Sequence, residues 1–259
     1  NMINSLKKFY WRYQDFNLHP YLNVKKDNLK ISISLFLIFG LKYFKFNFHS
    51  QQNEDKYLLK LFELENVKNG KFLEIGAYDG ITFSNSYFLE TDFDFLGILI
   101  EPQIDKFNEL KKNRSENKLF NYAVTNSKEE MVEFIGNNLE AGTTRNISTD
   151  IKKYNEWKPF YVQNKKMSDI ITNSKFEYLD VMFIDTEGSE LEIIESIDFK
   201  FPIKLIIIEK HTEHLERDNS LKNILNLNNF KLLYSIRGNY WFINETYQRK
   251  DGLYFRKNI

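Results

Sequence analysis

A ligand-binding loop is indicated by residues 74–80, which read EIGAYDG and follow a run of apolar residues. Gly76 permits a sharp turn after a strand, and Gly80 permits close packing at the start of a helix. Backbone amides at such a turn face whatever ligand lies at the strand end. The spacing G-x-x-x-G, with Tyr78 before Asp79, departs from the GxGxxG pattern that cradles a pyrophosphate. The carboxylate of Glu74 would suit a cationic ligand, such as an ammonium or a sulfonium group.

A second acid, Glu101, ends the next apolar run and follows Gly80 by 21 residues. In a βαβ unit this spacing brings the acid to the end of the second strand, where it can accept hydrogen bonds from ribose hydroxyls. Together the two features favour a ribose-containing ligand. Taken alone, the loop also fits a plain strand–turn–helix connection, and Glu101 also fits a strand-end cap.

The elements that must position these residues alternate along the chain. Apolar runs predict strands at residues 71–76, 95–101, 118–124, 178–185 and 203–209. Helices are predicted between them, among them one at 81–90 that buries Phe83. Strands that are apolar throughout are typical of a parallel sheet covered on both faces, so the alternation predicts a doubly wound α/β fold. A short turn at 237–239 joins two final strands, which must therefore run antiparallel.

The alternation pauses at about residues 129–166, where short strand-like runs flank a polar, irregular stretch at 137–158. An insertion here would lie over the carboxyl edge of the sheet, where doubly wound folds bind their substrates. Thr143, Thr144 and Arg145 offer donors that could orient a sugar, and Arg145 could also meet a phosphate or a carboxylate. An ordinary surface loop is the alternative interpretation.

Several separated motifs resemble the FkbM-type methyltransferase family, a branch of the class I S-adenosylmethionine-dependent enzymes. The resemblance is carried by FLEIGAYDGITFSNSYFLE, FLGILIEPQIDKFNELKKNR and VMFIDTEGSELEIIES, and SQQNEDKYLLKLFEL extends it upstream. It covers about residues 50–243 and leaves the first fifty residues outside. The fold it implies is a Rossmann-like, mostly parallel sheet of seven strands in the order 3-2-1-4-5-7-6, with the last strand antiparallel.

The resemblance implies S-adenosyl-L-methionine as the cofactor. The loop after the first strand would surround its methionine part, Glu101 would hold the ribose diol, and the turn after the third strand would border the adenine. The cofactor-binding residues expected on this basis are Glu74, Gly76, Ala77, Asp79, Gly80, Asn85, Glu101, Pro102, Asn121, Ala123 and Asp185.

The implied reaction is O-methylation, in which a base removes the proton of the acceptor hydroxyl. Candidate catalytic residues are His211, Asp185 and Glu209, because each follows or ends a strand beside the expected cofactor position. The family often has a histidine directly after this last acid, whereas Lys210 intervenes here, which leaves the orientation of His211 open.

The predicted acceptor site contains residues from the insertion and from the segments that follow the fourth and fifth strands of the predicted parallel sheet. Glu187 and His214 are candidate substrate contacts, together with Thr143, Thr144 and Arg145. A site for Mg²⁺ on Asp185 and Glu187 is a further alternative, because this cation prefers oxygen ligands, although the acids show no decisive ligand pattern.

Residues 1–50 are predicted to be a separate, partly helical extension, and residues 51–259 the methyltransferase domain. The apolar run at 31–41 is eleven residues long, shorter than the roughly 20 that a bilayer span requires. It could be a buried helix, a surface for homo-oligomers, or a peripheral membrane anchor.

Composition limits the classes of partner. The 36 basic residues balance the 36 acidic residues, which argues against nucleic acid as a partner. The chain has no cysteine, which excludes disulfides and thiolate metal sites. We expect a cytoplasmic protein with peripheral membrane contact as an option, and a hydroxyl acceptor that is first of all a sugar of a glycan or glycan precursor.

Two other functions compete with methyl transfer. One is a nicotinamide-dependent oxidoreductase on a related sheet, and the other is a non-catalytic, membrane-associated scaffold acting through residues 1–50. The acid inside the first strand and the antiparallel pair at the end of the chain both count against the oxidoreductase.

Overall fold

A computed structural model describes residues 46, 48–137, 140–144, 158–210, 215–247 and 249–255. Apart from Phe46, these residues belong to one unit that spans residues 47–259. The apolar run at 31–41 lies outside the described residues, so its predicted roles stay predictions. In the part of the chain that is described, no helix has the length and apolar character needed to cross a bilayer.

Eleven strands and six α-helices make up the described chain. The strands are β1 (Lys71–Ile75), β2 (Leu96–Ile100), β3 (Lys118–Phe120), β4 (Ala123–Val124), β5 (Met131–Asn137), β6 (Glu140–Thr143), β7 (Phe160–Lys165), β8 (Leu179–Ile184), β9 (Ile203–Glu209), β10 (Phe230–Ile236) and β11 (Asn239–Asn244). The helices are α1 (Glu54–Leu61), α2 (Tyr87–Phe93), α3 (Ile104–Asn113), α4 (Met167–Ser174), α5 (Glu190–Glu195) and α6 (Leu215–Leu227), and a 3-10 turn covers Leu64–Asn66.

The main sheet has seven strands in the order β10-β11-β9-β8-β1-β2-β3. Strands β3, β2, β1, β8 and β9 are parallel, whereas β11 runs antiparallel to both β9 and β10. When these strands are renumbered within the sheet, the order is 3-2-1-4-5-7-6. The predicted doubly wound fold and its reversed last strand are therefore confirmed.

Strands β8 and β9 show why apolar runs in the sequence predicted strands correctly. Every residue of β8 is buried, and so is every residue of β9 except the last, Glu209. Helices that contribute apolar residues such as Ile170, Ile193 and Leu225 pack against this sheet in one core. A strand buried on both faces must be apolar at almost every position, which is the pattern seen in the sequence.

The helix predicted at residues 81–90 is wrong in its position. The observed helix, α2, begins at Tyr87, and the residues before it form a loop in which Phe83 is 44 % exposed. The Asp79 carboxylate accepts hydrogen bonds from the backbone N–H groups of Ile81 and Thr82 at 2.8 and 2.7 Å. Side-chain acceptors of this kind compete with helical hydrogen bonds, so the chain stays in a turn here.

The interruption of the alternation is a second sheet, with strand order β4-β7-β5-β6. The predicted third strand is split, because β3 joins the main sheet while β4 pairs with β7 in the second sheet. Within the stretch at 137–158, the described residues 140–144 are less irregular than predicted, since β6 pairs with β5 through residues such as Thr143 and Phe134. Short polar strands of this kind have no apolar run to reveal them.

We predict that Gly97→Ala destabilises the fold by about 1–3 kcal/mol, the usual cost of overpacking a core. A Cβ atom on Gly97 would lie 2.1 Å from the ring of Phe72, which is fully buried in the neighbouring strand. Urea denaturation measures the change. Gly238→Ala is the matched control, because a Cβ there meets nothing within 4 Å, and it should change stability by less than about 0.5 kcal/mol. Equal unfolding midpoints for the two variants would contradict the packing argument.

Candidate functional site

Three strand ends converge at Gly76. The backbone N–H groups of Gly76 and Ala77 both donate to the carbonyl of Ile100, at 3.0 and 3.1 Å. On the other side, Asp185 N–H donates to the carbonyl of Ile75 at 3.3 Å. Gly76 has φ +83°, and a Cβ there would lie 2.0 Å from the Asp185 carbonyl oxygen. Only glycine fits both the conformation and the space, so the ends of β1, β2 and β8 form one closely packed edge.

Glu101 lies at this edge, directly after β2. Its two carboxylate oxygens accept hydrogen bonds from Tyr78 N–H at 2.8 Å and Gln103 N–H at 2.7 Å. The side chain is buried, and burial raises the pKa of Glu101 to about 7 in spite of these hydrogen bonds. Asn121 donates to the carbonyls of Glu101 and Pro102, at 2.8 and 2.9 Å. A buried acid held beside the glycine loop has the placement that a ribose diol needs.

The carboxylate of Glu74 has hydrogen-bond partners in the loop before α2, which the sequence did not indicate. Its carboxylate accepts hydrogen bonds from the hydroxyls of Ser84 and Ser86, at 3.0 and 2.5 Å, and from Asn85 N–H at 2.7 Å. Burial raises its pKa, while the positive charge of Arg114 opposes that rise. Glu74 therefore shapes the loop before α2. Its direct contact with a cationic ligand stays a prediction.

Arg114 completes this network and was missed by sequence reasoning. It is fully buried, donates to the carbonyl of Gly80 at 2.8 Å and to Ser86 Oγ at 3.2 Å, and forms an ion pair with Glu90. A Cβ on Gly80 would lie 2.6 Å from the Arg114 side chain. This close contact explains why the second of the two glycine positions in the loop, residue 80, is glycine. The sequence carries no signal for this pairing, because Arg114 ends α3 as one of several basic residues there.

The turn between β8 and α5 presents two of the predicted acids. Glu190 is buried, and one of its carboxylate oxygens accepts hydrogen bonds from Thr186 N–H, Thr186 Oγ1 and Gly188 N–H, at 3.2, 3.0 and 3.0 Å. Glu187 and Gly188 have positive φ values of 53° and 118°. This tight turn places Asp185 and Glu187 at the carboxyl end of β8, whereas Glu190 itself is used in shaping the turn.

Asp185, Glu187 and Glu209 meet at the ends of β8 and β9. Each offers a carboxylate oxygen, and these three oxygens lie within 4.8 Å of one another. Loss of hydration and the negative charges of Glu209, Glu187 and Glu190 raise the pKa of Asp185 well above its ordinary value. Because Asp185 remains exposed to solvent, we give the greater weight to the like charges. The carboxylates of Asp185 and Glu209 therefore form a close pair at the ends of two neighbouring strands.

A small cleft opens beside this pair of acids. Three of the predicted site residues line it, namely Asn85, Asp185 and Glu209. It is also lined by residues that were not predicted: Gln51, Gln52, Glu54, Phe83, Gly238 and Asn239. For Gln51, Gln52 and Glu54, the available sequence signal is the motif SQQNED at residues 50–55. That motif supports the family resemblance but does not by itself indicate a ligand site. No local pattern marked Asn239.

Thr143 and Thr144, the described residues of the insertion that were predicted to contact the acceptor, do not line this cleft. Thr143 is buried, and its hydroxyl is 3.3 Å from that of Ser189 in the turn after β8. Thr143 and Thr144 line a separate cavity with Tyr161 and Glu192. Ala123 is buried in β4, where it pairs with Asn164. Arg145, His211 and His214 lie outside the described residues, so their predicted roles stay predictions.

We predict that the ligand-free protein becomes less stable as pH rises from about 5 to about 8. Burial raises the pKa of both Glu54 and Glu101 from 4.5 to about 7. Below pH 4.5 both states are protonated and the contribution is complete, and it is lost as pH rises through 7 because the folded chain must then release protons from buried sites. Each group accounts for up to about 3 kcal/mol. Urea denaturation at pH 5 and pH 8 measures the difference.

Glu101→Gln should reduce that difference by about 1–3 kcal/mol, because glutamine does not titrate. The exposed Glu116→Gln, in the loop before β3, is the matched control and should leave the pH dependence unchanged. Parallel pH profiles for the Glu101→Gln variant and the unmodified protein would contradict the burial argument.

Comparisons with known proteins identify the family of the chain. A model of the methyltransferase FkbM domain matches residues 74–235, more than half of the chain. No curated protein sequence matches. Similar solved structures include the fibrillarin pre-rRNA processing protein of Methanococcus jannaschii, with 16 % identity, 71 % of this chain and 70 % of that chain covered, and a TM-score of 0.41.

Two further solved structures show the same level of similarity. Aeropyrum pernix fibrillarin, in complex with natively bound S-adenosyl-L-methionine, has 10 % identity, 72 % coverage of each chain and a TM-score of 0.40. A putative caffeoyl-CoA O-methyltransferase from Staphylococcus aureus has 13 % identity, covers 82 % of this chain and 90 % of its own, and has a TM-score of 0.42. These similarities are low, and the assignment depends on the domain match. The chain belongs to the FkbM methyltransferase family, and its activity is methyl transfer with S-adenosyl-L-methionine as the donor.

Proposed function

We propose that the protein is an O-methyltransferase that acts on a hydroxyl group of a sugar, in a glycan or a glycan precursor. The observation that carries the proposal is the Asp185–Glu209 pair, whose carboxylate oxygens lie within 4.8 Å of each other in the lining of a polar cleft. Oxygen methylation requires a group that takes up the hydroxyl proton as the new bond forms. A carboxylate pair beside the cofactor edge can do this, and the amides around it suit a hydroxyl-rich ligand.

The residues at the ends of β1 and β2 fit the cofactor. Glu101 would accept hydrogen bonds from the two ribose hydroxyls, and Gly76 lets the ends of β1 and β8 pack closely beside it. When bound, S-adenosylmethionine supplies a methyl group on a positively charged sulfur. Asp185 and Glu209, at the neighbouring strand ends, would place negative charge near that sulfur and near the acceptor.

The pair would act chiefly by alignment and by holding a proton. Holding the acceptor oxygen in line with the methyl group lowers the entropic part of the barrier. The raised pKa of Asp185 makes that carboxylate a stronger base toward the acceptor hydroxyl. His211 is the alternative base, proposed from the sequence alone.

We predict that S-adenosylhomocysteine stabilises the protein against heat and that NAD does not. A ligand at 100 times its dissociation constant stabilises a folded protein by about 2.7 kcal/mol, which is readily measured as a thermal shift. In the Glu101→Ala variant the ribose hydroxyls lose their acceptor, so the affinity for S-adenosylhomocysteine should fall at least about tenfold by calorimetry. A shift with NAD and none with S-adenosylhomocysteine would assign the edge to a dinucleotide enzyme.

We predict that Glu209→Gln lowers turnover by about 10²-fold or more, with affinity for S-adenosylhomocysteine changed less than about twofold. Glutamine keeps the shape of the side chain but cannot take up a proton. Release of S-adenosylhomocysteine in the presence of methyl glycosides measures turnover. His211→Ala is compared directly: if it loses turnover while Glu209→Gln keeps it, the histidine is the base.

A divalent cation is the competing use of the same carboxylates. Asp185, Glu187 and Glu209 bring their oxygens close enough to share an ion such as Mg²⁺, but carboxylates that act together as the base would lie equally close. In the same assay, EDTA should leave turnover unchanged. A loss that added Mg²⁺ restores would assign the carboxylates to a cation.

A further inference from the structure

The cleft beside Asp185 and Glu209 is built from parts of the chain that are far apart in sequence. Gln51, Gln52 and Glu54 come from the segment that leads into α1, before the region matched by the family model begins at residue 74. Asn239 starts β11, near the other end of the chain. The cavity is about 40 Å³, enough for about three water molecules. It therefore accommodates the edge of a polyhydroxylated ligand.

Glu54 and Asn239 form the inner wall of the cleft. The side-chain amide of Asn239 donates to one oxygen of the Glu54 carboxylate, and Gln52 N–H donates to the other oxygen at 3.1 Å. Both residues are buried, with 3 % and 8 % of their surfaces exposed. The hydrogen bond joins two segments that are 185 residues apart, so it fixes the position of the upstream segment against the β10–β11 hairpin.

The upstream segment is held rigidly by its own acid. Asp55 accepts hydrogen bonds from His49 N–H, Ser50 N–H and Lys56 N–H, at 2.7, 3.0 and 2.7 Å. Ser50 also forms a β-bridge with Phe83, another residue that lines the cleft. A wall that is fixed in this way can discriminate between ligands, because it does not rearrange to fit them.

The charge of the wall limits what can enter. The described lining residues include three carboxylates, from Glu54, Asp185 and Glu209, and neither lysine nor arginine. An anionic group brought into this cleft would meet like charges in a partly desolvated space, which disfavours binding. Neutral hydroxyls find both acceptors and amide donors here. Burying Glu54 also lowers the stability of the fold. A role in binding ligand hydroxyls would explain why an acid is present at this buried position.

We propose that Glu54 and Asn239 bind the acceptor and make the cleft selective for an uncharged, polyhydroxylated edge, so that sugars with a phosphate or carboxylate beside the methylated hydroxyl are rejected. This inference rests on the proposed function, because it names the acceptor class of the same cleft. The two residues orient the acceptor hydroxyl toward the Asp185–Glu209 pair. They are positioning and specificity residues of the acceptor, with no part in holding the cofactor.

The test compares matched ligands on the full-length chain loaded with S-adenosylhomocysteine. Saturation-transfer NMR detects binding of neutral methyl glycosides, each paired with its uronic acid and its sugar phosphate. We expect each neutral glycoside to bind at least about tenfold more tightly than the corresponding uronic acid and sugar phosphate. Glu54→Gln and Asn239→Ala should each weaken binding of the best neutral glycoside at least about fivefold. Glu116→Gln, on the amino side of β3, is the control and should bind it as the unmodified protein does.

Calorimetry with S-adenosylhomocysteine accompanies every variant and separates this inference from the proposed function. Unchanged cofactor affinity, together with the loss of glycoside binding, supports the assignment and also shows that the variants fold. Preference for the uronic acid or the sugar phosphate, undiminished glycoside binding by both variants, or no glycoside binding at all would overturn it. A failure of S-adenosylhomocysteine to bind the unmodified protein would instead overturn the methyltransferase site itself.

Discussion

The buried carboxylate of Glu74 is the interaction on which the ligand edge depends. It lies inside β1, where a charge is costly, and it is stabilised by hydroxyl and backbone donors from residues 84–86 and by the charge of Arg114. These bonds keep the chain after Gly80 from continuing directly into a helix. The loop therefore stays open beside the strand ends, and Asn85 and Phe83 reach the cleft. One acid inside a strand thus links the packing of the sheet to the shape of the site.

A second constraint is the accumulation of negative charge at the same edge. Burial raises the pKa of Glu54 and of Glu101 to about 7, and neighbouring like charges raise the pKa of Asp185. Acids placed this way lower the stability of the ligand-free protein near neutral pH. A cofactor with a positively charged sulfur and with ribose donors would relieve part of this cost. The edge is therefore less stable empty than occupied, which is common where binding sites are preorganised.

The sheet could be predicted because its information is local. Strands β8 and β9 are buried on both faces and are apolar at almost every position, and the turn at 237–239 forces an antiparallel pair. The position of Glu101 followed from spacing alone. The loop at 81–86 could not be predicted, because its backbone N–H and hydroxyl groups donate to acids that lie outside it. Asn239 was missed for the same reason, since its partner Glu54 is 185 residues away.

The central claim is that the ends of β1 and β2 hold S-adenosylmethionine with its sulfur toward the Asp185–Glu209 cleft. A crystal structure of the protein with S-adenosylhomocysteine tests this most directly. The account predicts that the ribose hydroxyls lie within hydrogen-bonding distance of Glu101 and that the sulfur faces the cleft lined by Glu54 and Asn239. Density for the ligand at the cavity beside Thr143 and Tyr161, or with its ribose away from Glu101, would contradict it.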